Sequence, residues 1–132
     1  MNNLQPWGLL FGRLMLAYIF LLSGYGKIAG FAGTAGFMAK YGVPMVEPLL
    51  VASIAIELIG ALMLVVGWKA RWGAWALFLW MIPVTLVFHA YWAVPAEQVM
   101  AQTISFQKNL AIMGGMLYIA FMGPGRLSLD KA

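Results

Sequence analysis

Four apolar stretches, each long enough to cross a bilayer, constrain this chain more than any other feature. They cover residues 6–27, 48–67, 72–91 and 104–123. A helix needs roughly 20 mostly apolar residues to span the hydrocarbon core. The breaks between the stretches are clear. Gly30, Gly33, Gly36, Gly42 and Pro44 punctuate the first connection, and Gly67-Trp68-Lys69-Ala70-Arg71-Trp72-Gly73 makes a very short second one. Pro95 opens the third, and Gly123-Pro124-Gly125 stops the last stretch. The expected architecture is an all-α membrane protein, a four-transmembrane-helix bundle built as one domain over residues 1–132.

Composition narrows the function classes. Of 132 residues, 64% are hydrophobic and only 9% charged, whereas a soluble domain carries about 25% charged residues. A soluble domain this small needs polar cover over much of its surface, and eight basic and four acidic side chains do not supply it. With no cysteine, disulfides, thiol redox centres, thiolate zinc sites and iron–sulfur clusters are excluded within the chain. A single histidine rules out bis-histidine haem ligation within one chain. HExxH, Walker and GxGxxG motifs are absent from the sequence. The net charge of +4 contains no dense basic run, so it points to lipid headgroups and orientation, not to nucleic acid. Ten methionines suit packing better than copper(I), since no outer cluster of them is present. The first apolar stretch is too long for a signal-peptide core and ends in Tyr25-Gly26-Lys27, so it is expected to be a retained first helix.

Charge sets the expected orientation. Lys69, Arg71, Arg126 and Lys131 fall on the side of the termini, with Arg13 just inside the first stretch. Lys27, Lys40 and Lys108, with Glu47 and Glu97, fall on the other. The positive-inside rule places both termini in the cytoplasm. Trp7, Trp68, Trp72, Tyr91 and Trp92 lie near span ends, as interfacial belts do. In the outer connections, Phe31, Phe37, Met38 and Tyr41 can share one side of a short interfacial helix, and residues 95–103 can form another starting at Pro95. Anchoring to the lipid surface explains both segments; a roof over an outward cavity is the functional alternative.

Ionisable residues inside a bilayer cost at least a few kcal/mol and call for a reason. Arg13 lies about 9–10 Å and Glu57 about 15 Å from the same face, at 1.5 Å per residue. The offset suits an Arg13–Glu57 pair, or a Glu57 kept protonated by its apolar setting; the plain alternative is an Arg13 that snorkels to headgroups. Four stripes at helical spacing mix small residues with ionisable ones: Arg13, Ala17, Gly24 and Lys27; Ser53, Glu57, Gly60 and Ala61; Thr85 and His89; Lys108, Ala111 and Gly115. Small residues mark helix contacts in membranes. The stripes therefore predict a polar pocket, open outward, with Glu57 at its floor. His89, Lys27 and Lys108 are equally explained as interface anchors. Pro83 predicts a kink midway along the third helix.

The residues that carry a family resemblance are Gly12-Arg13, Ser-Gly-Tyr-Gly-Lys-Ile-Ala-Gly-Phe at 23–31, Glu57 before Gly60, Phe88-His89, Lys108-Asn109, and Met-Gly-Pro-Gly-Arg-Leu-Ser-Leu-Asp at 122–130. With these the chain resembles the bacterial DoxX family of four-helix inner-membrane proteins over nearly its whole length. The resemblance implies cytoplasmic termini and a loose redox association through quinone-coupled sulfur oxidation or oxidative-stress assemblies. It does not by itself imply catalysis. The combined expectation is a quinone- or small-ligand-binding subunit, with Arg13, Lys27, Glu57, His89, Lys108 and Asn109 as pocket candidates and no metal. Its partners are the bilayer and either a redox protein or further copies of the chain. A small proton-coupled transporter and a structural subunit without ligand are the alternatives.

Overall fold

A computed structural model describes residues 3–131, which form five α-helices. These are α1 (Gln5–Ala29), α2 (Phe31–Lys40), α3 (Val46–Val66), α4 (Ala70–Phe88) and α5 (Val99–Met122), with two short 3-10 turns at Tyr91–Ala93 and Ala96–Gln98. Pro6 sits in the first turn of α1, where its missing N–H costs nothing. Glu47 lies in the first turn of α3, where the helix dipole favours negative charge. Gly67 ends α3 in the left-handed region at φ 68°, a conformation that suits glycine. The segment at 31–41 forms the short helix α2, whereas residues 95–103 become one 3-10 turn and the start of α5.

Among the described residues three helices are long and apolar enough to cross a membrane: α1, α3, and α4 with its continuation to Ala93. The fourth expected span corresponds to α5, which has the length but falls short in hydropathy. Its first half carries Gln102, Thr103, Ser105, Gln107, Lys108 and Asn109.

In the packed bundle α1 lies against α3, α3 against α4 and α4 against α5, while α1 and α5 touch far less. Glycines set the close approaches. A Cβ on Gly24 would meet Leu58, one on Gly60 would meet Leu77, and one on Gly115 would meet Leu16. The apolar core, with Ala17, Phe20, Leu64, Leu77 and Met116, fills the half of the bundle nearer the chain termini. Outward faces carry large apolar side chains such as Met15, Tyr118 and Trp72, the surface of a protein dissolved in lipid.

The C-terminal segment folds back across that end of the bundle. Leu129 and Asp130 donate their N–H groups to the carbonyls of Val66 and Gly67, at 3.0 and 2.8 Å. The Asp130 carboxylate accepts from the N–H groups of Lys69 and Ala70, at 2.8 and 2.9 Å, and so caps the start of α4 from a distant part of the chain. Arg13, buried in α1, donates to the carbonyls of Pro124 and Leu127 at 2.5 and 2.8 Å. Arg71 donates to the Phe121 carbonyl at 2.6 Å, near the end of α5, where unsatisfied carbonyls need a donor.

Candidate functional site

The other half of the bundle is hollow. A cavity of about 620 Å³ lies among all five helices, within the range of small-molecule sites. Its walls are mainly apolar, with Ile19 and Phe20 from α1, Leu49 from α3, Met81, Val84 and Val87 from α4, and Ile112 from α5. Phe37 and Met38 of α2, with Tyr41 just past its end, line the side that α2 covers. Phe37 stacks on Phe88 of α4 and Tyr41 meets it edge-on, with ring centroids 5.6 and 5.1 Å away.

At the cavity floor, Glu57 and Lys27 form an ion pair. Lys27 Nζ reaches Glu57 Oε1 at 3.0 Å and Oε2 at 2.9 Å. Ser23 lies one turn before Lys27 on α1. It accepts from Lys27 at 2.7 Å and donates to Glu57 Oε1 at 3.0 Å. Ser53 lies one turn before Glu57 on α3. It donates to Oε2 at 3.4 Å and accepts from Trp80 Nε1 at 3.2 Å. The carboxylate thus receives donors on both oxygens, and the ammonium spends all three of its protons. The Lys27 and Glu57 side chains are 25% and 9% exposed. The pair places two opposite charges at membrane depth without net charge.

Two further contacts tie α4 to α5 beside the cavity. His89 Nδ1 lies 2.8 Å from Gln102 Oε1, and Asn109 donates to Thr85 Oγ1 at 3.0 Å. Among the described residues His89 Nε2 has no protein partner, and Asn109 keeps one N–H and its carbonyl oxygen.

Four of the six expected site residues, Lys27, Glu57, His89 and Asn109, line this cavity. Arg13 and Lys108 do not. The expected Arg13–Glu57 pair is replaced by two separate arrangements, Lys27 with Glu57 and Arg13 with the C-terminal segment. Axial reach allowed the first pairing, but the folded-back tail offers Arg13 carbonyls on its own level. The expected stripe Lys108, Ala111 and Gly115 also shifts. Lys108 and Ala111 are exposed, and the inward face of α5 runs through Asn109, Ile112, Met116 and Ala120. That is one residue further, a turn of about 100°.

Trp80 and Gln102 carry no signal in the sequence, and Ser23 and Asp130 enter there only within the segments 23–31 and 122–130, with no role assigned. Ser23 carries a signal: it sits one turn before Lys27, as Ser53 sits one turn before Glu57. Nothing local marks Asp130 as the cap of a helix 60 residues earlier in the chain. No metal-binding cluster of His, Asp or Glu occurs among the described residues.

Apolar spanning helices around a ligand-sized cavity with a neutralised ion pair at its floor define a helical membrane protein with a built interior site. The chain belongs to the DoxX family, whose model matches residues 8–90. It is 36% identical to the Escherichia coli inner membrane protein YphA, over 96% of this chain and 91% of that one. It is 34% identical to the E. coli inner membrane protein YqjF, over 99% of this chain and 95% of that one. A fission-yeast Surfeit locus protein 4 homolog is 27% identical over 98% of this chain, which spans 39% of that longer protein. No solved structure gives a significant match.

Proposed function

We propose that this protein is an inner-membrane subunit that binds a small lipid-soluble molecule in the cavity beneath α2, as part of a redox or oxidative-stress assembly. The carrying observation is the cavity itself, apolar on its walls and polar at a few convergent points. The E. coli relatives are inner membrane proteins, and the basic residues near the termini favour a cytoplasmic side for both ends. In this reading α5 makes a fourth crossing. Its polar half is turned partly to the cavity and to α4, and Lys108 snorkels to the outer headgroups.

A quinone suits the residues present. Its ring requires an apolar slot, and its carbonyls require donors. Asn109 and His89 would hold the carbonyls, and the aromatic cover of α2 would lie against the ring. A bound quinone would supply two-electron redox chemistry. The ion pair would keep the floor polar and uncharged overall.

Quenching of tryptophan fluorescence by a decyl-tailed ubiquinone, titrated into protein in nanodiscs, tests this reading. Trp80 lines the cavity and would report occupancy. His89→Ala and Asn109→Ala should each weaken binding about 5–30-fold, the cost of one or two lost hydrogen bonds. Lys40→Ala, on the exposed end of α2, should change nothing. Equal binding by all four proteins would remove the cavity as the site. A proton-driven flux in proteoliposomes that is abolished by Glu57→Gln would instead favour a transporter.

A further inference from the structure

We infer that the cavity is loaded sideways from the membrane, between α1 and α5, and that its ligand is an amphiphile whose hydrocarbon tail lies in that seam. The inference rests on the cavity reading above and specifies the ligand class that the site takes.

Three observations carry it. The bundle is closed tightly at three of its four helix pairs and loosely at α1–α5. Along that seam a close approach is set by Leu16 against Gly115. About one turn further toward the outer end, Ile19 both lines the cavity and is 47% exposed. Across the seam, Ile112 and Asn109 line the same cavity. Ile19 therefore stands between the cavity and the surrounding lipid. The seam is also under-packed on the other side of the Leu16 contact. A second cavity lies there, bounded by Pro6 and Leu9 of α1 and Tyr118 and Met122 of α5. The looseness is thus a property of the whole seam.

The chemistry follows from which groups are spent. Lys27, Glu57, Ser23 and Ser53 satisfy one another at the floor. A ligand head gains little there and finds its open partners at His89 and Asn109. A head held there has the α1–α5 seam, marked by Ile19 and Ile112, open beside it for its tail. The rival exit lies beside α2 and α4, where Val87 is 40% exposed and Pro83 is exposed; the packed rings of Phe37, Tyr41 and Phe88 close part of that side.

The test compares two probes in nanodiscs, a tail-less dimethoxy-methyl-benzoquinone and its decyl-tailed counterpart. Each is titrated against wild type, Ile19→Trp and Val87→Trp, so that partition of a given probe into lipid cancels between proteins. Blocking the seam with Ile19→Trp should weaken the tailed probe about tenfold or more. Because Ile19 and Val87 both line the cavity, the readout is the ratio of tailed to tail-less affinity, which should fall about tenfold on Ile19→Trp and stay within about twofold on Val87→Trp. Loss of the tailed probe on Val87→Trp alone would move the tail to the α2 side and overturn the inference while the cavity reading stands. No difference in either variant would do the same. Failure of both probes on wild type would remove the cavity reading together with it. Should Ile19→Trp not assemble, Ile19→Ala provides the opposite arm. Widening the seam should speed entry of the tailed probe in stopped flow, and an unchanged rate would contradict the proposal.

Discussion

Lys27 and Glu57 show how a membrane protein can keep charge at depth. Each would be costly alone, and together with two serines they form a closed, neutral set. Removing one partner should therefore cost more than removing both. Lys27→Met and Glu57→Gln should each destabilise the folded protein. The double variant should lose less than the sum, with a coupling of about 1–3 kcal/mol. Unfolding in mixed micelles measures this. Arg13 should behave as an independent residue. Arg13→Met should cost about 3 kcal/mol through the Pro124 and Leu127 carbonyls it leaves without a buried donor, and it should add to Glu57→Gln without coupling. Strong Arg13–Glu57 coupling would restore the pairing that axial distance alone suggested. The sequence revealed both residues as inward-facing ionisable groups. It did not reveal their partners, because those depend on the azimuth of each helix and on where the tail returns.

At the level of the helix, glycine separates contact faces from lipid faces. Gly60 faces Leu77, whose nearest atom would lie 2.9 Å from an added Cβ, whereas Gly12 has nothing within 4 Å. Gly60→Ala should destabilise the bundle by about 1–3 kcal/mol through overpacking. Gly12→Ala should be neutral or slightly stabilising, since alanine is the better helix former. Equal effects at the two positions would mean that α1 packs elsewhere. The stripes on α1 and α3 were legible because small residues and ionisable ones repeat together there. The phase of α5 was not. Lys108 looked inward as a charge inside a span, yet its long side chain near the outer end can stay in contact with headgroups. Asn109, which cannot reach out, is the residue that turns in and bonds Thr85.

For the whole molecule, helix boundaries followed from the apolar runs and their Gly and Pro breaks to within a few residues, except at the start of α5. That helix begins at Val99, five residues before the expected start at 104, because Val-Met-Ala-Gln-Thr at 99–103 continues it without a break. The contrast between the buried core nearer the termini and the cavity beneath α2 was only partly legible. Glu57 as part of the lining of an interior pocket followed from its depth. The packing of the terminal half depends on Asp130, Arg13 and Arg71 bonding across the chain, which no local pattern encodes. That bonding ties the terminal segment across the end of the bundle beneath the cavity. The measurement that bears most directly on a ligand-binding role is the content of the purified protein. Wild-type protein in nanodiscs would be extracted and its quinone quantified per chain by mass spectrometry, beside His89→Ala and Arg13→Lys. Near-stoichiometric quinone in wild type and Arg13→Lys, lost in His89→Ala, is the expected result. A quinone content equal in all three, at the level of the surrounding lipid, would contradict it.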